Sequence, residues 1–199
     1  MALRRLAEHQ PETFAFNAEN AAWCAKQIEK YPPGRQASAV IPILWRAQEQ
    51  EGWVTKPIVE TVAAMLGMPY IRVLEVATFY TMFNLHPVGE HLVQVCTTTP
   101  CWLRGSDDVV AACKKHIHPH QGAISPDGKF SWIEMECLGA CVNAPMLLVD
   151  KDPYEDLDGP KTEALLEAIR RGEKPKPGPQ NGRRSSEPEG GATTLKGNE

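Results

Sequence analysis

His91-Leu92-Val93-Gln94-Val95-Cys96-Thr97-Thr98-Thr99-Pro100-Cys101 runs from an alternating apolar stretch straight into a pair of cysteines. The alternation predicts a strand over 91–95. The arrangement recurs further on: Phe130 to Glu136 alternates, and Cys137-Leu138-Gly139-Ala140-Cys141 follows it. Each cysteine pair, C-x4-C or C-x3-C, therefore trails a strand. Strand ends are rigid and the loops beyond them can curl, which is how a fold holds four thiolates at a metal centre. The loop residues are small, so backbone N–H groups can approach sulfur, and the threonine hydroxyls can donate to it. Structural zinc prefers C-x2-C knuckles. Wider loops suit a [2Fe–2S] rhomb, in which each pair grips one iron. On spacing alone, zinc and plain buried thiols or disulfides stay open as alternatives.

Around these loops the sequence predicts a mixed α/β segment. Ser106 to Lys115 reads as a helix with Ser106 as its cap, Asp107 and Asp108 in the first turn and Lys114 and Lys115 in the last, as the helix dipole favours. Pro126-Asp127-Gly128 reads as a turn, Met146 to Val149 as a short strand, and Thr162 to Arg171 as a helix. The order is β-α-β-β-α. Asp150 to Asp158 reads as a solvated acidic loop.

Upstream of Pro87 the texture is helical. Asn17 caps a helix that stops at Pro32-Pro33-Gly34. A second helix spans Ser38 to Gln50, with Pro42 near its first turn and Ile41, Leu44, Trp45 and Gln48 on one face. Thr55 caps a third, ended by Gly67, and Pro69 opens a fourth. Thr78-Phe79-Tyr80-Thr81-Met82-Phe83 is β-branched and aromatic and reads as extended, with Phe79, Tyr80 and Phe83 in the core.

The expected organisation is α+β: a helical region over 1–86, its first 11 residues flexible, a cluster-binding domain over 87–171, and a disordered tail over 172–199. In that tail of 28 residues ten are Gly or Pro, so it cannot bury enough surface to offset its ordering entropy.

The chain has 199 residues, enough for a real core without disulfide staples. A net charge of −4 argues against a nucleic-acid scaffold. No run approaches the ~18 apolar residues of a membrane span, and the start lacks the apolar stretch of a secretory signal. The compartment is then expected to be reducing, and membrane association to come only through a partner.

Four segments together carry a resemblance: Thr78 to Phe83; Cys96-Thr97-Thr98-Thr99-Pro100-Cys101-Trp102-Leu103-Arg104-Gly105-Ser106; Glu136-Cys137-Leu138-Gly139-Ala140-Cys141-Val142-Asn143-Ala144-Pro145-Met146; and Tyr154-Glu155-Asp156-Leu157. Over roughly residues 12–171 the chain resembles the 24-kilodalton iron–sulfur subunit family of respiratory NADH:quinone oxidoreductase (complex I). The resemblance implies an N-terminal helical bundle followed by a thioredoxin-like ferredoxin domain. It implies one [2Fe–2S] cluster on Cys96, Cys101, Cys137 and Cys141, which exchanges single electrons with FMN on an adjacent NADH-oxidising flavoprotein subunit. Through that subunit it implies contact with the larger iron–sulfur subunit, at the cytoplasmic side of the inner membrane or, in an organelle, the matrix side. The chain has no dinucleotide fingerprint of its own, so FMN and NADH belong to the partner and no catalytic residue is assigned. Reduction adds negative charge inside an acidic chain, and a low potential follows, of the order of the −400 mV of plant-type clusters.

Homologous subunits of NAD-linked hydrogenases and formate dehydrogenases share similar cysteine spacings and are the first alternative. A zinc-stabilised interaction module and an iron–sulfur DNA-binding regulator are remoter ones. The third and fourth helices resemble a helix-turn-helix, but the would-be recognition helix offers only Arg72, against Glu75. Cys24 and Cys113 read as buried small residues, and His116, His118 and His120 as a solvated helix end. Trp102, Arg104 and Asn143, beside the cysteine loops, are the expected docking surface.

Overall fold

A computed structural model describes residues 4–183. The chain divides into two compact units, Met1–Pro87 and Val88–Glu199.

The first unit holds four helices: α1 (Ala18–Ile28), α2 (Val40–Glu51), α3 (Lys56–Leu66) and α4 (Tyr70–Phe79). The starts of α1 and α3 and the ends of α2 and α3 are where the sequence places them. The Asn17 side chain accepts from the Asn20 N–H and the Thr55 side chain from the Ile58 N–H, while Gly52 and Gly67 close α2 and α3 in the left-handed region. Pro42 lies in the first turn of α2, where its missing N–H costs nothing. The four helices share one core, which includes Cys24, Ile43, Leu44, Ile58, Val62, Val73 and Phe83. Gln48, the polar member of the α2 stripe, is buried because its amide is used twice: it donates to Met82 O at 2.9 Å and accepts from the Asn84 N–H at 2.6 Å.

Three expectations for this unit are corrected. Thr78 and Phe79 are not extended: they form the last turn of α4, where the helical phase set by Val73 and Ala77 outweighs their β propensity. Phe83 is in the core, but Phe79 and Tyr80 are exposed, because the helix directs them away from Val73 and Ala77. The first residues are also tied down from Arg4 on. Arg4 donates to the carbonyls of Thr78 at 3.1 Å, Tyr80 at 2.7 Å and Phe83, and the Ala7 N–H bonds Leu85 O at 2.9 Å.

The second unit is a five-stranded mixed sheet with three helices. Its strands are β1 (His91–Cys96), β2 (Phe130–Met135), β3 (Leu147–Val149), β4 (Asp152–Glu155) and β5 (Gly178–Pro179), in the order β2-β1-β3-β4-β5. β1 is parallel to β2 and antiparallel to β3; β4 is antiparallel to β3 and parallel to β5. Helices α5 (Thr99–Leu103), α6 (Ser106–His116) and α7 (Gly159–Arg170) complete it. The core sets Val93, Val95, Phe130, Trp132 and Leu147 of the sheet against Val109, Cys113, Leu165 and Leu166 of α6 and α7.

Gly89, just before β1, is fixed by closeness. A Cβ there would lie 2.5 Å from the backbone carbon of Phe130. Gly89→Ala should therefore lower stability by about 1–3 kcal/mol through overpacking, read as a shift in the denaturant midpoint. A change below ~0.5 kcal/mol, the range of an ordinary surface substitution, would show that the strand yields at no cost.

The expected β-α-β-β-α order lacked three elements: α5, β4 and β5. Ser106 is not a cap; Gly105 takes that position with φ +98°, and Ser106 is the fully buried first residue of α6. The acidic stretch is only partly solvated. β4 lies inside it, and Glu155 and Asp156 are buried because both have hydrogen-bond partners. The expected tail is ordered in its first part: β5 pairs with β4, and the Tyr154 hydroxyl donates to Pro175 O at 3.2 Å. Paired backbone, rather than apolar burial, holds that segment. The remainder of the expected tail, from residue 184 on, lies outside the described residues.

Candidate metal centre

Parallel pairing of β1 and β2 brings the two cysteine loops together. In register, Cys96 lies level with Met135, so Cys96 ends one strand and Cys137 stands two residues past the end of its neighbour. Adjacent strands are about 4.8 Å apart; both loops thus leave from the carboxyl ends of neighbouring strands, at one end of the sheet. β3 closes the other side of β1, and the Cys96 N–H bonds Met146 O at 3.2 Å, just before that strand begins. Cys101 rides on α5, an element invisible in the sequence reading because it is a single short turn entered through Pro100. Cys141 opens a 3₁₀ turn, Cys141–Asn143.

Cys96 and Cys101 are buried and pack with Ala144, Met146, Leu138 and Ala140. Cys137 and Cys141 are exposed, with their sulfurs 3.3 Å apart. All six cysteines are free thiols. Burial works against ionising Cys96, but hydrogen bonds outweigh it: the Thr98 hydroxyl, 3.3 Å from Sγ, and the N–H groups of Leu138 and Thr98 bring its thiol below the ordinary range. The Leu138 donor comes from the opposite loop, so the second cysteine loop already contributes charge stabilisation to the first. Cys101 is pushed the other way by burial and by the Cys96 sulfur beside it, partly offset by the Met146 N–H. The Cys141 thiol is raised by its contact with Cys137, and also feels Cys96. These shifts record four sulfurs close enough to influence one another, which a bound cation would relieve.

The four sulfurs fit a [2Fe–2S] group in chemistry and grouping. They are soft donors in two pairs, one from each strand end, with amide donors already aimed at sulfur. Among the described residues no set of three or more His, Cys, Asp or Glu converges on a single-ion site. Cys24 and Cys113 lie apart, each fully buried in a different core. Burial pushes the Cys113 thiol up to about 12. His116 is hydrogen-bonded to Glu167 at 3.1 Å through Nδ1 and its side chain is only 16% exposed, so it sits between α6 and α7 rather than at a solvated end. His118 instead offers its carbonyl to Trp132 Nε1 at 2.7 Å.

The expected docking residues separate. Trp102 and Arg104 are exposed beside the loops, but Asn143 is buried, its amide donating to Glu155 Oε2 at 2.6 Å. Leu103 and Val142, which sequence reading passed over, are 71% and 64% exposed. Like Trp102, they are exposed apolar residues in or directly beside the cysteine loops in the chain. The signal was available: an apolar residue next to a ligand-type cysteine has no core to enter if its neighbour points inward.

Comparison with known proteins adds four findings. The family model described as thioredoxin-like [2Fe–2S] ferredoxin matches residues 24–170. An E-type subunit of NADH-quinone oxidoreductase from Rhizobium meliloti (strain 1021) is 55% identical over 200 residues, covering 98% of this chain and 73% of its own. NADH dehydrogenase [ubiquinone] flavoprotein 2, mitochondrial, of Dictyostelium discoideum is 46% identical over 189 residues, covering 94% and 76%. Among solved structures, an NAD⁺-reducing [NiFe]-hydrogenase in its H₂-reduced state superposes with a TM-score of 0.59 at 17% identity. That match spans 67% of this chain but 22% of the hydrogenase chain, and it concerns the fold.

Proposed function

Because the chain belongs to the thioredoxin-like [2Fe–2S] ferredoxin family, among the E-type subunits of NADH-quinone oxidoreductase, we propose that it is the electron-transfer subunit next to the NADH-oxidising flavoprotein. The observation that carries this reading is the parallel pairing of β1 with β2, by which the loops of Cys96 and Cys101 and of Cys137 and Cys141 leave from neighbouring strand ends. Those four thiolates would hold the cluster. Bound there, a [2Fe–2S] cluster supplies one-electron redox chemistry. The residues of the chain do the rest. Thr98 and the N–H groups of Leu138 and Met146 stabilise negative charge on sulfur. Ala144, Met146 and Leu138 keep water from the inner pair. Cys137 and Cys141 face outward, where a partner can approach within tunnelling distance.

The partner we propose is the FMN- and NADH-binding subunit, docked on Trp102, Leu103, Arg104 and Val142, with the larger iron–sulfur subunit reached through it. The location is peripheral, at the cytoplasmic or matrix face of the coupling membrane; no helix among the described residues is long and apolar enough to cross it. The boundaries we propose are a helical region to residue 86 and a cluster domain from 87 that includes β5.

Anaerobically purified chain should contain about two irons and two acid-labile sulfides, with a visible charge-transfer spectrum that bleaches on reduction. Stoichiometric zinc without sulfide would sink the reading.

A further inference from the structure

The second cysteine loop is held from behind by the segment that follows α7. β5 aligns Tyr154 with Gly178 and Glu155 with Pro179, and the Gln180 N–H bonds Glu155 O at 3.0 Å. The chain then turns at Gly182, φ +84°, and presents Arg183. The Arg183 guanidinium forks onto Asp156: Nε donates to Oδ2 at 2.7 Å and Nη2 to Oδ1. Nη2 also donates to Val142 O at 3.3 Å. The Asp156 N–H bonds Asn143 O at 2.8 Å. Val142 and Asn143 directly follow Cys141, so both carbonyls after that cysteine hang on Asp156 and Arg183.

Asp156 is an unusual place to anchor a loop. Its side chain is 6% exposed, and its backbone is left-handed at φ +55°. A buried carboxylate is costly unless paired, and left-handed aspartate is strained unless its surroundings hold it. Arg183 supplies the pairing charge, and the bond to Asn143 O uses the turned N–H. Neither feature is needed to complete the core of the second unit, whose members do not include them.

We propose that Arg183 is a positioning residue for Cys141: by pairing Asp156 and holding the Val142 carbonyl, it fixes the exposed cysteine loop in the place where it can ligate. This rests on the cluster reading above. A segment with the composition of a disordered tail thereby becomes part of the support for the redox centre. Lysine could neutralise Asp156 but cannot fork onto it and reach Val142 O together.

The test uses the full chain, purified without oxygen, as wild type, Arg183→Ala, Arg183→Lys and the double variant Asp156→Asn/Arg183→Ala. The readouts are iron release to a chelator, the electron paramagnetic resonance line shape of the reduced protein, and the thermal midpoint. Loss of an outer-shell support costs roughly 10–100-fold in metal affinity, so Arg183→Ala should release iron at least ~10-fold faster and broaden the resonance, with Arg183→Lys in between. The double variant separates positioning from mere charge burial. It removes the orphaned carboxylate, so the thermal midpoint should recover while iron release stays fast. Wild-type release from Arg183→Ala, or from the double variant, would overturn the proposal and leave the cluster reading intact. A wild-type chain without iron and sulfide would instead sink the cluster reading, and the proposal with it.

Discussion

Serine at any one of Cys96, Cys101, Cys137 or Cys141 should cost the chain most of its iron and sulfide, whereas alanine at Cys24 or Cys113 should cost none. Alkoxide is a hard donor and a poor substitute for a soft thiolate, so the loss should exceed the ~10–100-fold that an altered outer-shell partner produces. Cys113 is the informative control. It lies in the same unit as the four site cysteines, but on α6 among Val93, Val109 and Leu166, and burial keeps its thiol protonated. Its replacement deletes one small buried group and should lower stability by about 1 kcal/mol, with cluster content unchanged. Iron and sulfide quantification with the visible spectrum reads both outcomes. Equal iron loss from a folded Cys113→Ala chain would show that the ligand set is wrong.

The second large effect is functional. Alone, the chain should oxidise no NADH, since its sequence carries no dinucleotide fingerprint. Mixed with the flavoprotein subunit and NADH, its centre should become reducible, and Trp102→Ala should weaken that coupling most. Trp102 is 57% exposed between Cys101 and Leu103, the position of an interface anchor. Truncating such an anchor costs about 2 kcal/mol or more, roughly a 30-fold rise in the flavoprotein concentration needed for half-maximal reduction. Arg104→Glu should weaken docking as well, and more at low salt, because exposed charges are screened within about 10 Å at 0.1 M. Stopped-flow bleaching of the visible bands against flavoprotein concentration measures each. NADH oxidation by the chain alone would overturn the assignment. Unchanged reduction with both Trp102 and Leu103 removed would move the interface away from the cysteine loops.

The parts of this architecture that local chemistry determines were legible from residues alone. Asn17 and Thr55 announce helix starts through side chains that can accept two or three residues on, and Gly52 and Gly67 announce ends that need a left-handed residue. The strand before each cysteine pair was legible because alternation is a one-strand property. What was missed depends on partners distant in sequence. Phe79 has strand propensity, but the helix through Val73 and Ala77 was already under way. Asp152 to Glu155 reads as loop until Leu147 to Val149 lies beside it, and Glu155 reads as solvated until Asn143 donates to it. Gly178 and Pro179 carry no strand propensity at all; only the exposed edge of β4 makes them a strand. Of the candidate site, the cysteines and the threonine donors beside them were legible, and the donors from the opposite loop were not. Thr98 could be guessed from adjacency, whereas Leu138 donating across to Cys96 requires knowing that β1 and β2 are parallel neighbours.

The separate cores of the two units bear on how any of these variants should be compared. Among the described residues, the buried core of the first unit includes residues up to Leu85 and the sheet-and-helix core of the second begins at Val93. Most of the helix signal in circular dichroism comes from α1 to α4, while the colour of a bound cluster reports only the sheet that carries the cysteines. A melt followed by ellipticity is therefore weighted towards the helices of the first unit, and one followed by absorbance towards the sheet that carries the cysteines, so variants should be compared at the same probe. A substitution such as Gly89→Ala acts against Phe130 in the second unit, so absorbance is the probe on which its cost should be read.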